Sequence, residues 1–405
     1  MSYTVEETMQ YVMEDDVKFI RLAFVDVFGR QKNISIMPNE LERAFSRGIA
    51  IDASAIAGFG GIVHSDLILH PDPSTLAVLP WRPEHGRVVR MFCTITHPDG
   101  KPFSCDTRSF LIHAIEEAKK SGYSFRFSSE TEFYLFKTDD GALMSAKIPY
   151  DEAGYMDIAP ADKGENVRRE ICLDLERMGI RTKGSYHAEG PGQNEIDMAA
   201  DEPLKAADNA VTFRSVVSTV APRNGLWADF SPKPNKSCPG NGFHVGISID
   251  NNTRGEQLPK VIAGILNRIP DITLFLNTTE ESYLRLGANK APKYITWSSE
   301  NRSQLIRIPA PMSDDPDLST AELRSPDPLA NPYLVYGLMI YAGLEGLKNN
   351  AELPVPVDVD LYSADDTSGY KALPHDLDEA VSAASASDFI KKYVPQQLID
   401  AYCRK

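Results

Sequence analysis

The chain has 405 residues, 42% of them hydrophobic, which is enough to bury one large core or two ordinary ones. Its formal net charge of −15 argues against a surface that binds nucleic acid. The five cysteines are scattered without a C-x-x-C pair, which disfavours a zinc ribbon and is typical of a reducing compartment.

The sequence shows no targeting or membrane segment. Residues 1–4 lack the basic and apolar regions with which a secretory signal peptide begins. No stretch combines the length and the freedom from charge that a membrane-spanning helix requires. We therefore expect a cytoplasmic protein that binds neither a membrane nor nucleic acid.

The first hundred residues are expected to form strands. Three segments are rich in β-branched and aromatic side chains: residues 17–27, 33–37 and 87–96. Phe28-Gly29-Arg30 turns the chain between the first two, which predicts a hairpin. A loop rich in Gly, Ala and Ser follows at 52–62. The sequence therefore predicts a strand-rich N-terminal domain over residues 1–105.

Helices and strands are expected to alternate after residue 105. Asp106 can cap the first helix, and Gly122 can end it. Further helices are predicted at 166–178, 203–220, 257–268 and 331–348. Strands are predicted at 123–137, 193–199, 243–249, 304–309 and 321–324. The segment from about Asp358 onward is expected to pack as helices on the surface, completing a second domain over 106–405 in an α+β fold.

The strand at 123–137 carries two carboxylates on one face. Glu130 and Glu132 are two residues apart, and apolar residues occupy both sides of the same strand. Adjacent buried carboxylates repel each other and lose hydration unless cations compensate. A divalent metal ion and a solvated acidic edge strand are both compatible with this pattern.

A second acidic cluster surrounds a sharp bend. Gly190-Pro191-Gly192 separates Glu189 from Glu195. Gln193, Glu195 and Asp197 then alternate along one strand face. The alternative interpretation is an acidic surface turn.

Two further candidate ligands lie in apolar strands. His244 alternates with apolar residues, although a single core histidine is more often a hydrogen-bonding residue than a ligand. Glu322 shares a strand face with Arg324. Together with Glu130, Glu132, Glu189 and Glu195, they form an oxygen-rich set that suits Mg²⁺ or Mn²⁺. Two neighbouring ions of this kind can clamp a transferring phosphate.

Four arginines stand in apolar or turn contexts: Arg285, Arg302, Arg307 and Arg324. Guanidinium groups bind phosphate and carboxylate in a bidentate manner, but each arginine alone is equally a partner for a structural carboxylate. The sequence contains no G-x-x-x-x-G-K-[ST] phosphate loop and no G-x-S-x-G nucleophile motif.

Taken in chain order, these segments resemble glutamine synthetase, particularly its bacterial type-I branch, over nearly the whole chain. The segments that resemble its motifs are 52–59, Glu130-Thr131-Glu132, 187–196, 232–244, 301–303, 307–309, 322–324, 326–328 and 331–334. No single motif is decisive, but their shared order makes a chance match very rare.

The resemblance implies an N-terminal β-grasp domain and a catalytic domain with an antiparallel sheet flanked by helices. It implies an ATP-dependent ligase that joins a carboxylate to an amine through a γ-glutamyl phosphate, using ATP and two or more Mg²⁺ or Mn²⁺ ions. It also implies a homo-oligomer, expected to be a dodecamer, whose active sites are shared between neighbouring subunits.

The resemblance also assigns roles to individual residues. One metal ion would be held by Glu132, Glu189 and Glu195, and the other by Glu130, His244 and Glu322. Arg302, Arg307 and Lys233 would bind ATP. The remaining substrate contacts would come from Arg324 at the transferring phosphoryl group, Arg285 at the amino-acid carboxylate, Gly240 through its backbone, and Asp52 at the amine site of the adjacent subunit.

The sequence departs from the family mainly near the amine site. The flap at 285–292 is one residue shorter than in the family, and Lys290 stands where a glutamate that attracts ammonium is expected. A cation there repels ammonium. Further departures from the family's pattern are Ala55, Pro239, Gly246 and Thr320.

Three functions remain compatible with these departures. The first is a ligase whose acceptor is not ammonium, with Lys290 pairing with a carboxylate of an anionic acceptor. The second is an authentic glutamate–ammonia ligase with a rearranged flap. The third is an inactive, nucleotide-binding homologue, which the complete set of ligand types disfavours.

Overall fold

The computed structural model describes residues 3–61, 63, 65–138, 147–250, 255–308 and 320–403. Within these residues, the N-terminal part forms a six-stranded sheet in the order β2-β1-β6-β4-β3, with β5 paired to β6. Its strands are β1 (Val17–Val25), β2 (Gln31–Ile36), β3 (Ile49–Asp52), β4 (Asp66–Pro71), β5 (Ala77–Val78) and β6 (Arg87–Thr96). The three strands expected from the sequence are therefore present.

The predicted hairpin is confirmed and lies against the second half of the chain. Strands β1 and β2 pair antiparallel, with Val25 opposite Gln31. Gly29 in the turn has a φ of +75°, and a Cβ there would lie 2.8 Å from the Cα of Asn331. Asn331 also donates a hydrogen bond of 3.1 Å to the carbonyl of Val27. Glycine is required at this turn because the backbone of a later helix approaches it so closely.

The prediction that the first hundred residues form only strands is wrong at two helices. Helix α1 spans Val5–Glu14 and begins with a capping box between Thr4 and Glu7. Helix α2 spans Leu41–Arg47 and ends at Gly48. Both helices have ordinary signals at their ends. They were missed because the β-branched residues that follow each of them dominate the local composition.

The second sheet contains eight strands among the described residues, in the order β12-β13-β14-β11-β7-β9-β8, with β10 paired to β7. They are β7 (Phe125–Lys137), β8 (Thr182–His187), β9 (Gln193–Asp201), β10 (Leu226–Asp229), β11 (Phe243–Ile249), β12 (Trp297–Ser298), β13 (Ile306–Arg307) and β14 (Ala321–Leu323). The strand expected at 304–309 is shorter, and Pro309 lies outside the described residues. Strands β8, β10 and β12 were not predicted.

Helices pack on this sheet and on one another. They are α3 (Thr107–Lys120), α4 (Glu165–Arg177), α5 (Pro203–Arg223), α6 (Gln257–Leu276), α7 (Glu280–Arg285), α8 (Pro332–Lys348), α9 (Leu377–Ala386), α10 (Asp388–Tyr393) and α11 (Gln396–Cys403). The predicted caps of α3 are confirmed, since Asp106 accepts from the backbone of Arg108. Helix α6 continues beyond its expected end at 268 because Pro270 is accommodated inside it and the following turns are buried.

The C-terminal helices differ from the expectation of a surface layer. They begin only at Leu377, and Phe389, Leu398 and Tyr402 are buried in the main core. The hydroxyl of Tyr402 donates to the carbonyl of Val27 at 2.8 Å. The C-terminal segment therefore joins the N-terminal hairpin to helix α6, since the ring of Tyr402 also packs against Phe275. The division of the chain after residue 105 stays a prediction.

Helices α6 and α8 cross through two glycines. A Cβ on Gly264 would lie 2.9 Å from the Cα of Gly346 and would clash with the carbonyl of Ala342. A Cβ on Gly346 would clash with the carbonyl of Lys260. These contacts are made by backbone atoms, so a methyl group forces the two buried helices apart.

We predict that Gly264→Ala or Gly346→Ala lowers the free energy of unfolding by about 1–3 kcal/mol, because overpacking shifts two buried helices. Urea denaturation followed by circular dichroism measures this change. Gly61→Ala is the matched control, since a Cβ there meets nothing within 4 Å. Equal midpoints for all three variants would contradict the proposed close crossing.

Candidate active site

Adjacent strands of the second sheet bring the predicted metal ligands together. In the pairing of β7 with β9, Glu132 lies opposite Glu195 and Glu130 lies opposite Asp197. In the pairing of β7 with β11, Glu130 lies opposite His244. Paired residues on antiparallel strands point to the same side of the sheet, so these side chains converge.

The first cluster consists of Glu130, His244 and Glu322, whose ligand atoms all lie within 4.8 Å of one another. His244 Nδ1 is 3.7 Å from Glu130 Oε2 and 3.6 Å from Glu322 Oε1. Arg307 and Arg324 hold Glu322 through ion pairs of 2.8 and 3.1 Å. Burial alone raises the pKa of Glu130, but the nearby His244 and the two arginines lower it overall. One imidazole and two carboxylates at this spacing fit a divalent cation.

A second cluster shares Glu130 and adds Glu195 and Asp197, again with ligand atoms within 4.8 Å. Burial and the like charges of Glu132 and Asp197 raise the pKa of Glu195 far above its usual range. Burial and the charge of Glu130 raise the pKa of Asp197 to about 7. Sequence reasoning did not include Asp197 among the candidate ligands, although its alternation with Glu195 was an available signal.

Glu189 does not complete a trio with Glu132 and Glu195 within that distance. Its Oε2 instead lies 3.0 Å from Nζ of Lys290, and its side chain is 45% exposed. Glu132 Oε2 accepts a hydrogen bond of 2.5 Å from the backbone of Gly242. The ligand set expected for one of the two metal ions is therefore not gathered in this structure.

These groups surround a cavity of about 380 Å³. Four carboxylates and four cationic side chains line it, so its charges nearly balance. The lining residues are Glu130, Glu132, Tyr155, Tyr186, Ala188, Glu189, Glu195, Pro239, Gly240, His244, Arg285, Asn289, Lys290, Ala291, Arg302 and Arg324. Most residues that the family resemblance singled out thus lie in one cavity.

Arg285 forms part of the cavity floor. It is 2% exposed, and its guanidinium donates to the carbonyls of Ser325 and Arg324 at 2.8 and 3.1 Å. Burial lowers the pKa of Arg285. A Cβ on Gly240 would lie 2.8 Å from Cγ of Arg285 and would clash with the carbonyl of Pro232. Glycine at 240 therefore lets the backbone approach the cavity beside this arginine.

Four predicted residues lie outside the cavity lining: Glu322, which belongs to the first cluster, and Lys233, Arg307 and Asp52. Lys233 Nζ donates to the carbonyl of Cys238 at 2.7 Å and to Oδ1 of Asn289 at 3.2 Å, so it joins two loops that border the cavity. Arg307 reaches the site through Glu322. Asp52 ends strand β3 in the other sheet, where it is exposed and accepts from the backbone of Ser54.

A buried pair of residues that the sequence did not reveal supports the bend at 189–192. His187 contacts Oδ1 of Asp151 at 2.9 Å through Nε2 and the carbonyl of Ala188 at 2.8 Å through Nδ1. The same oxygen of Asp151 accepts from the backbone of Gly192 at 3.0 Å. Because both ring nitrogens face acceptors, the ring fits best as an imidazolium. Asp151 precedes this bend by some forty residues, so no local pattern identifies it.

The acid–base properties of this pair follow from its contacts. Burial lowers the pKa of His187, but the bonds to Asp151 and Ala188 outweigh it and raise the pKa above its ordinary value of 6.5. Burial raises the pKa of Asp151, but the bonds from His187, Lys163 and Gly192 lower it to about 2. These contacts therefore favour the charged forms of both partners.

A cavity that gathers carboxylates, an imidazole and several guanidinium groups suits an enzyme that binds a divalent cation and a phosphorylated substrate. Residues 16–98 match the glutamine synthetase β-grasp domain, and residues 104–405 match the glutamine synthetase catalytic domain. The chain belongs to the glutamine synthetase family. It is an ATP-dependent ligase that forms an amide bond, and the predicted fold class is confirmed.

Relatives and solved structures match along nearly the whole chain. Glutamine synthetase of Clostridium saccharobutylicum is 39% identical, with 99% of this chain and 93% of the relative covered. Glutamine synthetase of Methanosarcina mazei is 40% identical with the same coverage. A structure of GmaS with ADP has a TM-score of 0.87 at 25% identity, covering 98% of this chain and 94% of that one. No helix in the described part of the chain has the length and hydropathy to cross a membrane.

We predict that Asp151→Asn lowers the free energy of unfolding by about 3 kcal/mol at about pH 6, because it leaves a buried imidazolium without its partner. His187 has a raised folded pKa, so its contribution is complete below pH 6.5 and is lost as the pH rises through that folded pKa. The wild type should therefore lose stability with rising pH in this window, and Asp151→Asn should lose less.

Urea denaturation at several pH values between about 6 and 9 measures both effects, a range that brackets the ordinary histidine pKa. Asp157→Asn, which removes an exposed carboxylate from the same segment, is the control. Parallel stability curves for the wild type and Asp151→Asn would show that the pair is not charged as described.

Proposed function

We propose that this ligase joins the γ-carboxylate of glutamate to an amine other than ammonium, and that the acceptor carries a carboxylate. The observation that carries the proposal is the ion pair between Lys290 and Glu189 on the wall of the cavity, with Nζ and Oε2 3.0 Å apart. Both side chains line the cavity, and their exposed fractions are 63% and 45%. They are therefore accessible to a substrate that enters it.

The ion pair is complementary to an amino acid in its zwitterionic form. The ammonium group of such an acceptor would face Glu189, and its carboxylate would face Lys290. Ammonium itself offers nothing to Lys290 and is repelled by it. The segment between Arg285 and Pro292 contains no glutamate that would reverse this effect.

The reaction proposed for the site has two steps. The γ-carboxylate oxygen of glutamate attacks the γ-phosphorus of ATP, ADP leaves, and a γ-glutamyl phosphate forms. The amine nitrogen then attacks the acyl carbon, inorganic phosphate leaves, and the nitrogen loses a proton. Arg302 and Arg324 line the cavity and can spread the charge of the phosphoryl group in the first step.

Other residues would orient the two substrates. Arg285 is suited to the amino-acid carboxylate, because the carbonyls of Arg324 and Ser325 fix its guanidinium beside the backbone of Gly240. Arg307 would act near the nucleotide through its ion pair with Glu322. Lys233 would position the loop at 233–238 beside the nucleotide, since its ammonium already bonds to the carbonyl of Cys238 and to the side chain of Asn289.

Glu130, His244 and Glu322 would hold a divalent cation, Mg²⁺ or Mn²⁺. The spacing of their ligand atoms fits such an ion. When bound, the ion would neutralise charge on the phosphates of ATP. This intact ligand set also disfavours an inactive homologue.

The second candidate function is glutamine synthesis from ammonium. It is favoured by the relatives that bear the name glutamine synthetase, which are 36% to 40% identical over 99% of this chain. Against it stands the cation Lys290 at the amine side of the cavity. The two functions differ in the acceptor and not in the activation of glutamate.

We expect phosphate release from Mg-ATP and glutamate to be fastest with acceptors that carry both an amine and a carboxylate. The panel should contain ammonium, methylamine, glycine and aspartate. Lys290→Glu should raise kcat/KM for ammonium and lower it for the preferred acceptor, each by about tenfold, the change expected from roughly 1.4 kcal/mol at a partly exposed charge.

Lys293→Glu is the matched control, because Lys293 is an exposed lysine of the same segment that does not line the cavity. It should leave the acceptor preference unchanged. Fastest turnover with ammonium by the wild type would contradict the proposed acceptor, and the absence of phosphate release with every acceptor would contradict the ligase activity itself.

The proposal includes a homo-oligomer, expected to be a dodecamer, in which Asp52 serves the amine site of a neighbouring subunit. The exposure of Asp52 and its position in the other sheet support this role. Asp52→Ala and His244→Ala should each be inactive alone. When the two variants are mixed, dissociated and reassembled, activity should return, because some active sites then combine an intact Asp52 from one subunit with an intact His244 from its neighbour. Light scattering gives the mass, and a monomer or the absence of regain would contradict the shared site.

A further inference from the structure

The strand register determines which residue faces the carboxylates at the end of β8. Tyr186 lies opposite Glu195 and lines the cavity. His187 turns to the opposite side and contacts Asp151. Side chains alternate along a strand, so the next residue on the cavity side is Ala188, which is 1% exposed and also lines the cavity. Ala188 lies opposite Gln193, to whose carbonyl its backbone donates at 2.8 Å, so the cavity-side position after Tyr186 carries a methyl group and no ligand.

Glu189 begins the bend one residue later, and its carboxylate is directed to the flap. Its Oε2 lies 3.0 Å from Nζ of Lys290. Glu132 accepts from the backbone of Gly242, and Glu195 lies opposite Tyr186 in the pairing of β8 with β9. The ligand set that the family resemblance implies for one metal ion at these three glutamates is thus dispersed among other partners.

The flap backbone holds Lys290 in this direction. Asn289 and Lys290 both adopt left-handed conformations, with φ of +48° and +66°. Non-glycine residues adopt this conformation where their surroundings stabilise it. The carbonyl of Lys290 accepts from Arg324 at 3.5 Å, and Oδ1 of Asn289 accepts from Lys233 at 3.2 Å. The ammonium therefore approaches Glu189 from a fixed backbone.

We propose that the Lys290 ammonium takes the place of a divalent metal ion at Glu189, so that Glu189 is not a metal ligand in this chain. An ammonium neutralises the carboxylate and repels a divalent ion from the same position. It cannot accept electron pairs from several ligands as a metal ion does, which agrees with the dispersed partners of Glu132 and Glu195. The ion at Glu130, His244 and Glu322 is unaffected, since its ligands lie on other strands.

Binding of Mn²⁺ to the full chain tests this inference. Isothermal titration calorimetry gives the number of ions and their affinities, and electron paramagnetic resonance shows whether bound ions are neighbours. The titrations contain no nucleotide and no acceptor, so their result does not depend on the proposed acceptor. Glu189→Gln should change neither the number of bound ions nor their affinity by more than about twofold. Glu322→Gln should weaken binding at least tenfold, which shows that the loss of a true ligand is detectable.

A gain of binding provides the complementary test. Ala188→Glu combined with Lys290→Met places a carboxylate on the cavity face and removes the ammonium, so it should add one bound Mn²⁺ per chain and broaden the resonance spectrum through coupling between neighbouring ions. Lys290→Met alone should tighten the weakest Mn²⁺ binding, and Lys293→Met, the matched control, should leave it unchanged. Circular dichroism confirms that each variant is folded.

Loss of an ion or a tenfold loss of affinity in Glu189→Gln would overturn the inference, because Glu189 would then be a ligand. Unchanged binding in both Lys290 variants would also overturn it, since the ammonium would not be what excludes the ion. If the double variant fails to fold, Glu189→Gln and Lys290→Met decide the question.

Discussion

The register of β7 between β9 and β11 is the constraint on which the rest of the site depends. It places Glu132 opposite Glu195, and Glu130 between Asp197 and His244. These carboxylates lie close together on one side of a largely buried sheet, where their repulsion must be offset by cations. A shift of one residue in either pairing would turn the glutamates to the opposite face, which is packed with apolar side chains.

The cationic residues of the site follow from this concentration of negative charge. Arg307 and Arg324 neutralise Glu322, and Lys290 neutralises Glu189. The guanidinium groups stand on strands or beside them, whereas Lys290 is supplied by a loop. In the proposed reaction, the residues that would activate the carboxylate thus belong to the sheet, and the residue assigned to the acceptor belongs to a loop.

Much of the fold could be predicted from local patterns. The strand at 243–249 alternates regularly, and α3 has clear signals at both ends, so both are found where they were expected. Strand β8 was missed because Thr182–His187 contains a glycine and several polar residues, and it is formed through pairing with β9 at the edge of the sheet. Local propensity does not encode such a partner.

The same distinction applies to the site. The alternation of Glu130 with Glu132 along one strand was visible in the sequence, and the family resemblance connected them with His244 and Glu322. The contacts of Asp151 with His187 and of Lys290 with Glu189 join segments that are distant in sequence, so only the folded chain reveals them. The prediction that Glu189 holds a metal ion came from the order of the motifs along the sequence. The direction of its side chain depends instead on the bend that follows β8.

The hydrogen bond from Tyr402 to Val27 has a consequence for folding order. The two groups are 375 residues apart, and the tyrosine ring also packs against Phe28 and Phe275. During synthesis the N-terminal hairpin leaves the ribosome long before the helix that covers it. Contacts of such high sequence separation form late and leave apolar surface exposed until they form. The N-terminal sheet therefore remains incompletely packed until nearly the whole chain has been made.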